Sequence, residues 1–365
     1  EVLGAEGWAR GLVTPTEMTH APPAGFAANV PQRKMALQIA EQYLGHEIEV
    51  LLGGGRKHFD ARKRKDKKDL YGGFRKKGYA VLNTAADLNK APVGKSWLGT
   101  FSEGHLPYTV DRENDAALKK EIPTLATMTR AALRKLNRSD RFILQVEGGR
   151  VDHGCHSCDS AAAFRDLIAF DEAVEACLEF QKNHQETLIV ITTDHGNGNP
   201  GLNGTGGNYV ASTPLFGNIR DATASFSVML GRMGKTPTVA GIQKIIRDST
   251  GYQASSQKAG MLAPFLNRKG NALYGLMNSP VGQLGQLMAN HWAVGWAGSA
   301  HTSDYVPLTA IGPGADRFRG FIDNTDVFHN YMALAGVDFK NPTVPLSAKA
   351  SKRNESPEQV EEYWS

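Results

Sequence analysis

The feature that most constrains the fold is a repeated alternation between short apolar segments and amphipathic helical segments. Apolar runs typical of buried strands lie at 11–14, 48–55, 141–149, 187–198 and 306–314. Helical periodicity falls at 31–44, 124–136, 160–180 and 325–337. The apolar stripe of the 160–180 helix, which includes Leu167 and Ile168, is expected to face the core. This alternation predicts an α/β fold with a mostly parallel central sheet and helices on both faces.

Two regions interrupt the alternation. Residues 56–78 are strongly basic and are predicted to form a solvated surface loop, with an anion-attracting rim as the alternative. Residues 199–298 are rich in Gly, Asn and Ser, with helices predicted near 238–248 and 281–292. We interpret this second region as an insertion between two core strands that serves as a lid or an interface element.

Composition excludes several classes of protein. The 365 residues are 41% hydrophobic and 21% charged, as in an ordinary globular chain. A net charge of +4 does not repel anionic substrates, and it is too small to predict a nucleic-acid partner. No apolar run reaches the roughly 18 residues that a transmembrane helix needs. The chain begins at Glu1 without Met or a signal peptide, so we expect a processed protein or a piece of a longer one.

Ionisable side chains follow the predicted strand at 141–149. In an open parallel sheet, ligands bind beyond the carboxyl ends of the strands. Asp152 and His156 are four positions apart, so one helical turn places them on the same side. With His301, which lies at the entry to a later strand, they form a nitrogen-and-oxygen set that suits Zn²⁺ with an open position. Glu147, a hard oxygen ligand, suits Mg²⁺ better.

A second Asp-His pair follows another strand. Asp194 and His195 come after the apolar segment that begins at Thr187, and they are candidates for a second zinc. A lone pair of this kind is more often a cap or a turn, but three such segments in one α/β chain favour a metal site. Two metals about 4 Å apart can hold the attacking and leaving oxygens of an in-line phosphoryl transfer. Arg33 is the candidate cation for the remaining phosphoryl oxygens, with an ordinary surface arginine as the alternative.

The combination of these segments resembles the alkaline phosphatases. The matching segments, in the order of that family, are GLVTPTEMTHAPPAGFAANVPQR, VLLGGGRKHF, VEGGRVDHGCH, FDEAVEAC, IVITTDHGNG and AHTSDYVPLTAIGPG. They span nearly the whole chain, so no single motif carries the resemblance. It implies a three-layer α/β/α sandwich, formed as a single domain over residues 1–365 with the insertion at about 199–298.

The resemblance also assigns roles to residues. It implies a first zinc site made by Asp152, His156 and His301, a second zinc site made by Asp194 and His195, and a magnesium site at Glu147. It implies that phosphate is gripped by Arg33, with His20 and His153 lining the site near the magnesium and touching phosphate or bound water. On this reading Arg33 and His153 belong to the catalytic machinery.

The chain departs from the family pattern in two places. The family has a nucleophilic Ser and an Asp that bridges two metals, both before the segment that corresponds to 11–17, and neither has a counterpart here. We therefore expect an N-terminally incomplete domain whose sheet lacks at least one strand. Ser160, in a superficially similar Asp-Ser-Ala segment, is instead predicted to be a helix N-cap. Pro22 stands where the family has Thr or Ser, and the absence of a side-chain oxygen there counts against the magnesium site.

The resulting hypothesis is a zinc-dependent phosphomonoesterase that acts on small phosphate monoesters through a phospho-Ser intermediate. Two alternatives remain open at this stage. One is a metal- or phosphate-binding protein without turnover, and the other is a phosphodiesterase, sulfatase or phosphonoacetate-type hydrolase of the same superfamily. From the resemblance we also expect a homodimer that works in the periplasm or outside the cell.

Overall fold

The computed structural model describes residues 2–339. Within this range the strands are β1 (Ala9–Glu17), β2 (Val50–Gly54), β3 (Ala80–Leu82), β4 (Trp97–Thr100), β5 (Phe142–Val146), β6 (Ile189–Ile191), β7 (Gly196–Asn197), β8 (Pro200–Leu202), β9 (Val294–Trp296), β10 (His301–Thr302) and β11 (Thr309–Ile311).

The α-helices in the same range are α1 (Val2–Ala5), α2 (Ala21–Ala27), α3 (Ala36–His46), α4 (Leu70–Lys76), α5 (Ala85–Asn89), α6 (Thr109–Glu113), α7 (Ala116–Glu121), α8 (Leu125–Leu136), α9 (Arg150–His156), α10 (Ser160–Asn183), α11 (Ser212–Gly217), α12 (Phe226–Met233), α13 (Val239–Thr250), α14 (Ser256–Leu266), α15 (Pro280–Trp292) and α16 (Asn324–Ala335). Among these described helices, none has the length and apolar character required to cross a membrane.

A five-stranded sheet forms the centre of the fold. Its strand order is β3-β4-β2-β1-β5, and every neighbouring pair is parallel. Parallel neighbours need crossover connections over the sheet faces, which α3 provides between β1 and β2 and α8 provides between β4 and β5. The predicted α/β fold with a mostly parallel central sheet is confirmed.

The alternation of side chains along the strands produces the two apolar interfaces of the sandwich. On β1, Leu12 points into a cluster with α3 and α4, whereas Val13 points into a cluster with α8 on the opposite face. Both side chains are almost completely buried, and burial of a Leu or Val side chain contributes about 1.5–3 kcal/mol. Helices therefore cover both faces, as the three-layer prediction requires.

The helix predicted to begin at Pro31 begins five residues later, at Ala36. A turn precedes it, closed by a 3.0 Å hydrogen bond from the Met35 N–H to the Gln32 carbonyl. The predicted start was therefore wrong, and Arg33 lies in this turn instead of on the helix.

The basic segment 56–78 is only partly the solvated loop that was predicted. The guanidinium of Arg64 is fully buried, and its Nη2 contacts Glu41 Oε1 at 2.8 Å and Asp66 Oδ2 at 2.6 Å. The end of the segment forms α4, with Phe74 buried. The prediction was wrong in these two respects, because a buried arginine is tolerated where carboxylates pair with it.

The region predicted as an insertion begins and ends at two neighbouring strands that lie outside the five-stranded sheet. β8 and β9 form an antiparallel pair in which Pro200 faces Trp296 and Leu202 faces Val294. Between these strands, α11 to α15 form an apolar cluster that extends to the first turn of α10. The Asp159 carboxylate links the two parts, since it caps α10 and also accepts a 2.6 Å hydrogen bond from the Phe226 N–H.

The two strands β6 and β11 are not part of the five-stranded sheet. They pair with each other in antiparallel orientation, and β5 is an edge strand of the large sheet. A cavity of about 2570 Å³ lies between β5 and β6, and its lining includes Leu144 and Val146 on one side and Ile189 and Ile191 on the other. We call this cavity the open slot.

Part of the apolar stripe of α10 faces cavities instead of packed core. Leu167 lines the open slot and is 51% exposed, and Ile168 is 59% exposed. The prediction that this stripe packs into the core was wrong for both residues, because no described element covers them.

Candidate functional site

A cluster of one aspartate and two histidines lies beyond the carboxyl end of β5. Helix α9 starts four residues after that strand and carries Asp152 and His156 one turn apart. The third member, His301, is on β10, which pairs with β7. His301 Nε2 lies 3.1 Å from His156 Nε2 and 3.6 Å from Asp152 Oδ1. We call these three residues the Asp–His cluster.

The hydrogen bonds of the Asp–His cluster indicate which ring nitrogen of His156 carries the proton. His156 Nδ1 lies 2.7 Å from the Ser299 carbonyl oxygen, which can only accept, so Nδ1 carries the proton and Nε2 keeps its lone pair. This arrangement is usual for metal-ligating histidines. Asp152 Oδ1 accepts a 2.6 Å hydrogen bond from Asn197 Nδ2. Burial opposes ionisation of Asp152, but its neighbours His156, Asn197 and His153 together outweigh burial and hold the pKa of Asp152 well below its usual range.

The second Asp-His pair lies directly beside this cluster. The ring of His195 stacks on that of His301 with centroids 3.6 Å apart. His195 Nδ1 lies 3.2 Å from the Gly196 carbonyl oxygen, and its Nε2 is 3.2 Å from Asp194 Oδ2. The side chain of Asp194 is 67% exposed. The tertiary structure thus brings together all five residues predicted as zinc ligands.

Glu147 lies at the carboxyl end of β5 and accepts hydrogen bonds from the hydroxyls of Thr14 and Thr16. Burial raises the pKa of Glu147 to about 7, although the two threonine hydrogen bonds act in the opposite direction. A carboxylate with two hydroxyls is a set of hard oxygens of the kind that Mg²⁺ prefers. Pro22 lies in the first turn of α2 and supplies no side-chain oxygen.

A second cluster consists of His20, His105 and His153. One ring nitrogen from each lies within 4.8 Å of the others, and the ring centroids are 4.5–5.3 Å apart. Burial lowers the pKa of His20 to about 4, that of His105 to about 3 and that of His153 to about 2. Nearby arginines lower these pKa values further, so the rings are neutral at pH 7. We call these residues the three-histidine cluster.

Two arginines border the three-histidine cluster. Arg33 Nη2 lies 3.2 Å from His20 Nε2, and Arg150 Nη1 lies 2.7 Å from His153 Nδ1. The guanidinium of Arg150 also lies over the ring of Tyr108, 3.6 Å from its centroid. Arg33, His20 and His153 therefore lie close together, as the family resemblance implies.

Sequence reasoning missed several residues of this site: Thr14, Thr16, His105, Arg150 and Asn197. His105 follows β4 in the loop 101–108, at the same edge of the sheet as the predicted ligands. The rule that ligands bind beyond the carboxyl ends of parallel strands could therefore have found it. The pairing of Asn197 with Asp152 has no such sequence pattern.

Ser160 is the first residue of α10 and is 1% exposed, while the N-cap is Asp159. The prediction that Ser160 itself caps the helix was wrong by one residue, because Asp159 accepts hydrogen bonds from Ala161 N and Ala162 N. A buried serine at this position is poorly placed to attack a substrate.

Comparisons with known proteins show the family of this chain. A family model described as "Alkaline phosphatase" matches residues 2–337. The chain belongs to the alkaline phosphatase family. It is 32% identical over 347 residues to alkaline phosphatase 3 of Bacillus subtilis (strain 168), covering 93% of this chain and 71% of that protein. The family and the fold support a phosphatase-type hydrolase acting on phosphoric monoesters.

Solved alkaline phosphatase structures share the fold. The structure of Thermus thermophilus alkaline phosphatase has a TM-score of 0.87 and 33% identity, and the match covers 99% of this chain and 76% of that one. A mutant of the TAB5 alkaline phosphatase, described as having Mg bound in its M3 site, has a TM-score of 0.61 at 18% identity, covering 93% of this chain and 75% of that one. This second likeness concerns the fold alone.

Proposed function

We propose that this chain forms the metal-binding part of a zinc-dependent phosphomonoesterase whose nucleophilic serine lies outside residues 2–339. The observation that carries the proposal is the Asp–His cluster, in which a carbonyl fixes the proton of His156 on Nδ1 and leaves Nε2 facing two other ligand atoms.

The donor set fits zinc. Asp152, His156 and His301 would hold one ion, and Asp194 and His195 would hold a second. Nitrogen and oxygen ligands in this number leave an open coordination position, as in catalytic zinc sites. When bound, zinc would act as a Lewis acid on the phosphoryl oxygens. Glu147, with the hydroxyls of its neighbouring threonines, would bind Mg²⁺.

The chain's own residues would orient the substrate. The guanidinium of Arg33 would hold two non-bridging phosphoryl oxygens, because a planar fork of donors matches their spacing. His20 contacts Arg33, and His153 adjoins Asp152. Both histidines would donate hydrogen bonds to the phosphate or to a water molecule bound beside it. These contacts favour small phosphate monoesters, whose phosphoryl group has three free oxygens.

A covalent intermediate would complete the reaction. The serine oxygen attacks phosphorus, the ester oxygen leaves with a proton, and water then attacks the phosphoserine to release inorganic phosphate and restore the serine hydroxyl. The open slot supports placing that serine on a further strand. The slot lies between the pair β6–β11 and the edge of β5 that pairs with no strand within residues 2–339, and its lining includes Arg33, Asp152 and His301.

The remaining expectations belong to the same proposal. Residues 1–365 would be a single domain with a lid at about 199–298, and the apolar cluster shared by this region and α10 supports their treatment as one unit. We also propose, from the family, a homodimer located in the periplasm or outside the cell.

Hydrolysis of p-nitrophenyl phosphate at alkaline pH, with zinc and magnesium supplied, tests the proposal. The 365-residue chain should bind zinc and inorganic phosphate, release no more than traces of p-nitrophenol, and give the same result after Ser160→Ala. His156→Ala should lose zinc. Turnover by the chain that Ser160→Ala abolishes would contradict the assignment of the serine, and a folded chain that binds no zinc would overturn the proposal as a whole.

A further inference from the structure

The three-histidine cluster has the composition of a metal site, but its hydrogen bonds have the opposite polarity to those of the Asp–His cluster. A histidine that binds a metal through one nitrogen normally donates from the other nitrogen to a carbonyl, carboxylate or water. The rings of His20, His105 and His153 are instead held by groups that can only donate. This difference decides what each ring can offer to a ligand.

His105 shows the polarity most directly. The backbone N–H of Glu17 donates to His105 Nδ1 at 3.0 Å, so Nδ1 is the acceptor and Nε2 carries the proton. The Glu17 amide is itself held in place, because the Glu17 carboxylate contacts Lys57 Nζ and His58 Nε2, each at 2.6 Å. His105 therefore presents an N–H group whose orientation is set by the backbone of β1.

The other two rings follow the same rule. An arginine cannot accept a hydrogen bond, so Arg150 fixes His153 Nδ1 as an acceptor and leaves Nε2–H. In the same way Arg33 fixes His20 Nε2 as an acceptor and leaves Nδ1–H. His20 Nδ1 is buried and has no hydrogen-bond partner within residues 2–339. An unpartnered buried donor of this kind is costly unless a ligand accepts from it.

We propose that His105 joins His20 and His153 in a subsite of three N–H donors that binds a tetrahedral oxyanion, and that this cluster holds no metal ion. The inference rests on the proposed phosphatase function, of which it defines the anion subsite. The ring centroids are 5.3 Å apart or closer, and one ring nitrogen from each residue lies within 4.8 Å of the others, so the three rings form one small cluster. All three residues are partly exposed, and two guanidinium groups supply the positive charge beside them.

The ring polarity can be measured without catalysis. Two-bond ¹H–¹⁵N correlation spectra of the ¹⁵N-histidine-labelled chain report which ring nitrogen is protonated, with assignments from single variants. We expect protons on Nε2 of His105 and His153 and on Nδ1 of His20. Zinc should move the resonances of His156, and inorganic phosphate added to the zinc-loaded chain should move those of His105. Zinc coordination by His105, or a proton on its Nδ1, would overturn the inference.

The binding contribution of His105 has its own test. His105→Phe should weaken binding of inorganic phosphate to the zinc-loaded chain about tenfold, the value of one good hydrogen bond to a charged group. Zinc content should not change. His105→Gln keeps one donor and one acceptor and should recover most of the affinity, while the matched control His184→Gln, at the end of α10, should bind phosphate like wild type.

The outcomes separate this inference from the proposed function. Unchanged phosphate affinity in His105→Phe, or loss of zinc from that variant, would refute the oxyanion subsite even if the chain belongs to an active phosphatase. Failure of the Asp–His cluster to bind zinc would refute the proposed function, while the protonation of the His105 ring would still be read from the same spectra.

Discussion

The Asp–His cluster and the three-histidine cluster lie at the same edge of one sheet, yet they differ in the atoms that anchor their rings. His156 is anchored by a carbonyl oxygen, and His195 lies against another. The rings of the second cluster are anchored by a backbone amide and two guanidinium groups. An anchor that accepts leaves a lone pair for a cation, whereas an anchor that donates leaves an N–H group for an anion. Similar side chains are thereby suited to opposite ligands.

The largest expected effect comes from removing an imidazole of the first cluster. His156→Ala should weaken zinc binding by more than about 100-fold, since loss of a ligand costs more than loss of its supporting hydrogen bond. The measurement is a zinc competition titration with a chromophoric chelator. His105→Ala is the matched control and should leave zinc affinity within about twofold. Equal losses in both variants would remove the distinction between the clusters.

The next effect concerns a residue that supports a ligand without being one. Asn197→Ala removes the 2.6 Å hydrogen bond to Asp152 and should weaken zinc binding about tenfold. Asn330→Ala removes a 3.0 Å hydrogen bond to the Arg317 carbonyl, outside both clusters, and should leave the affinity unchanged. If the same titration ranks the two asparagines equally, Asp152 does not depend on its neighbour for orientation.

Glu17 allows a test of the second cluster through pH. Burial alone would raise its pKa, but contacts with His58 and Lys57 dominate and lower the pKa from 4.5 to about 2. A lowered acid pKa stabilises the fold above pH 4.5 and loses that contribution as the pH falls towards 2. Glu17→Gln should therefore cost about 2 kcal/mol at pH 7 and almost nothing near pH 2, as measured by urea unfolding.

The control for Glu17 is Glu103, whose carboxylate is half exposed and 4.0 Å from Arg56. Glu103→Gln should change the free energy of unfolding by less than about 0.5 kcal/mol. Glu17→Gln should also leave the ring protonation of His105 unchanged, because the anchoring group is the backbone amide of Glu17. A changed His105 tautomer in this variant would show that the carboxylate takes part in the anchoring.

The smallest expected effect lies in the open slot, which both clusters border. Leu167 is 51% exposed there, so Leu167→Ala should cost less than about 1 kcal/mol of unfolding free energy. Leu136→Ala, a fully buried position on α8, should cost about 3 kcal/mol. Equal costs in urea unfolding would mean that the slot is closed in solution.

The sequence predicted the parallel sheet and the positions of the candidate ligands for definite physical reasons. Apolar runs separated by amphipathic helices allow few other arrangements, and the carboxyl ends of parallel strands share one edge. Asp152 and His156 were predictable because helical spacing alone places them together. The antiparallel pairing of β6 with β11 was not predictable, because nothing in 187–198 indicates which strand will be its neighbour.

By itself, the sequence determined that several ionisable side chains collect beyond the strands. Only the tertiary structure decided whether the histidine nitrogen that faces a ligand carries a lone pair or a proton. The anchor of His156 is a carbonyl 143 positions away, and that of His105 is an amide 88 positions away. Local pattern cannot specify partners at such separations, and the polarity of a histidine ring depends entirely on the partner it meets.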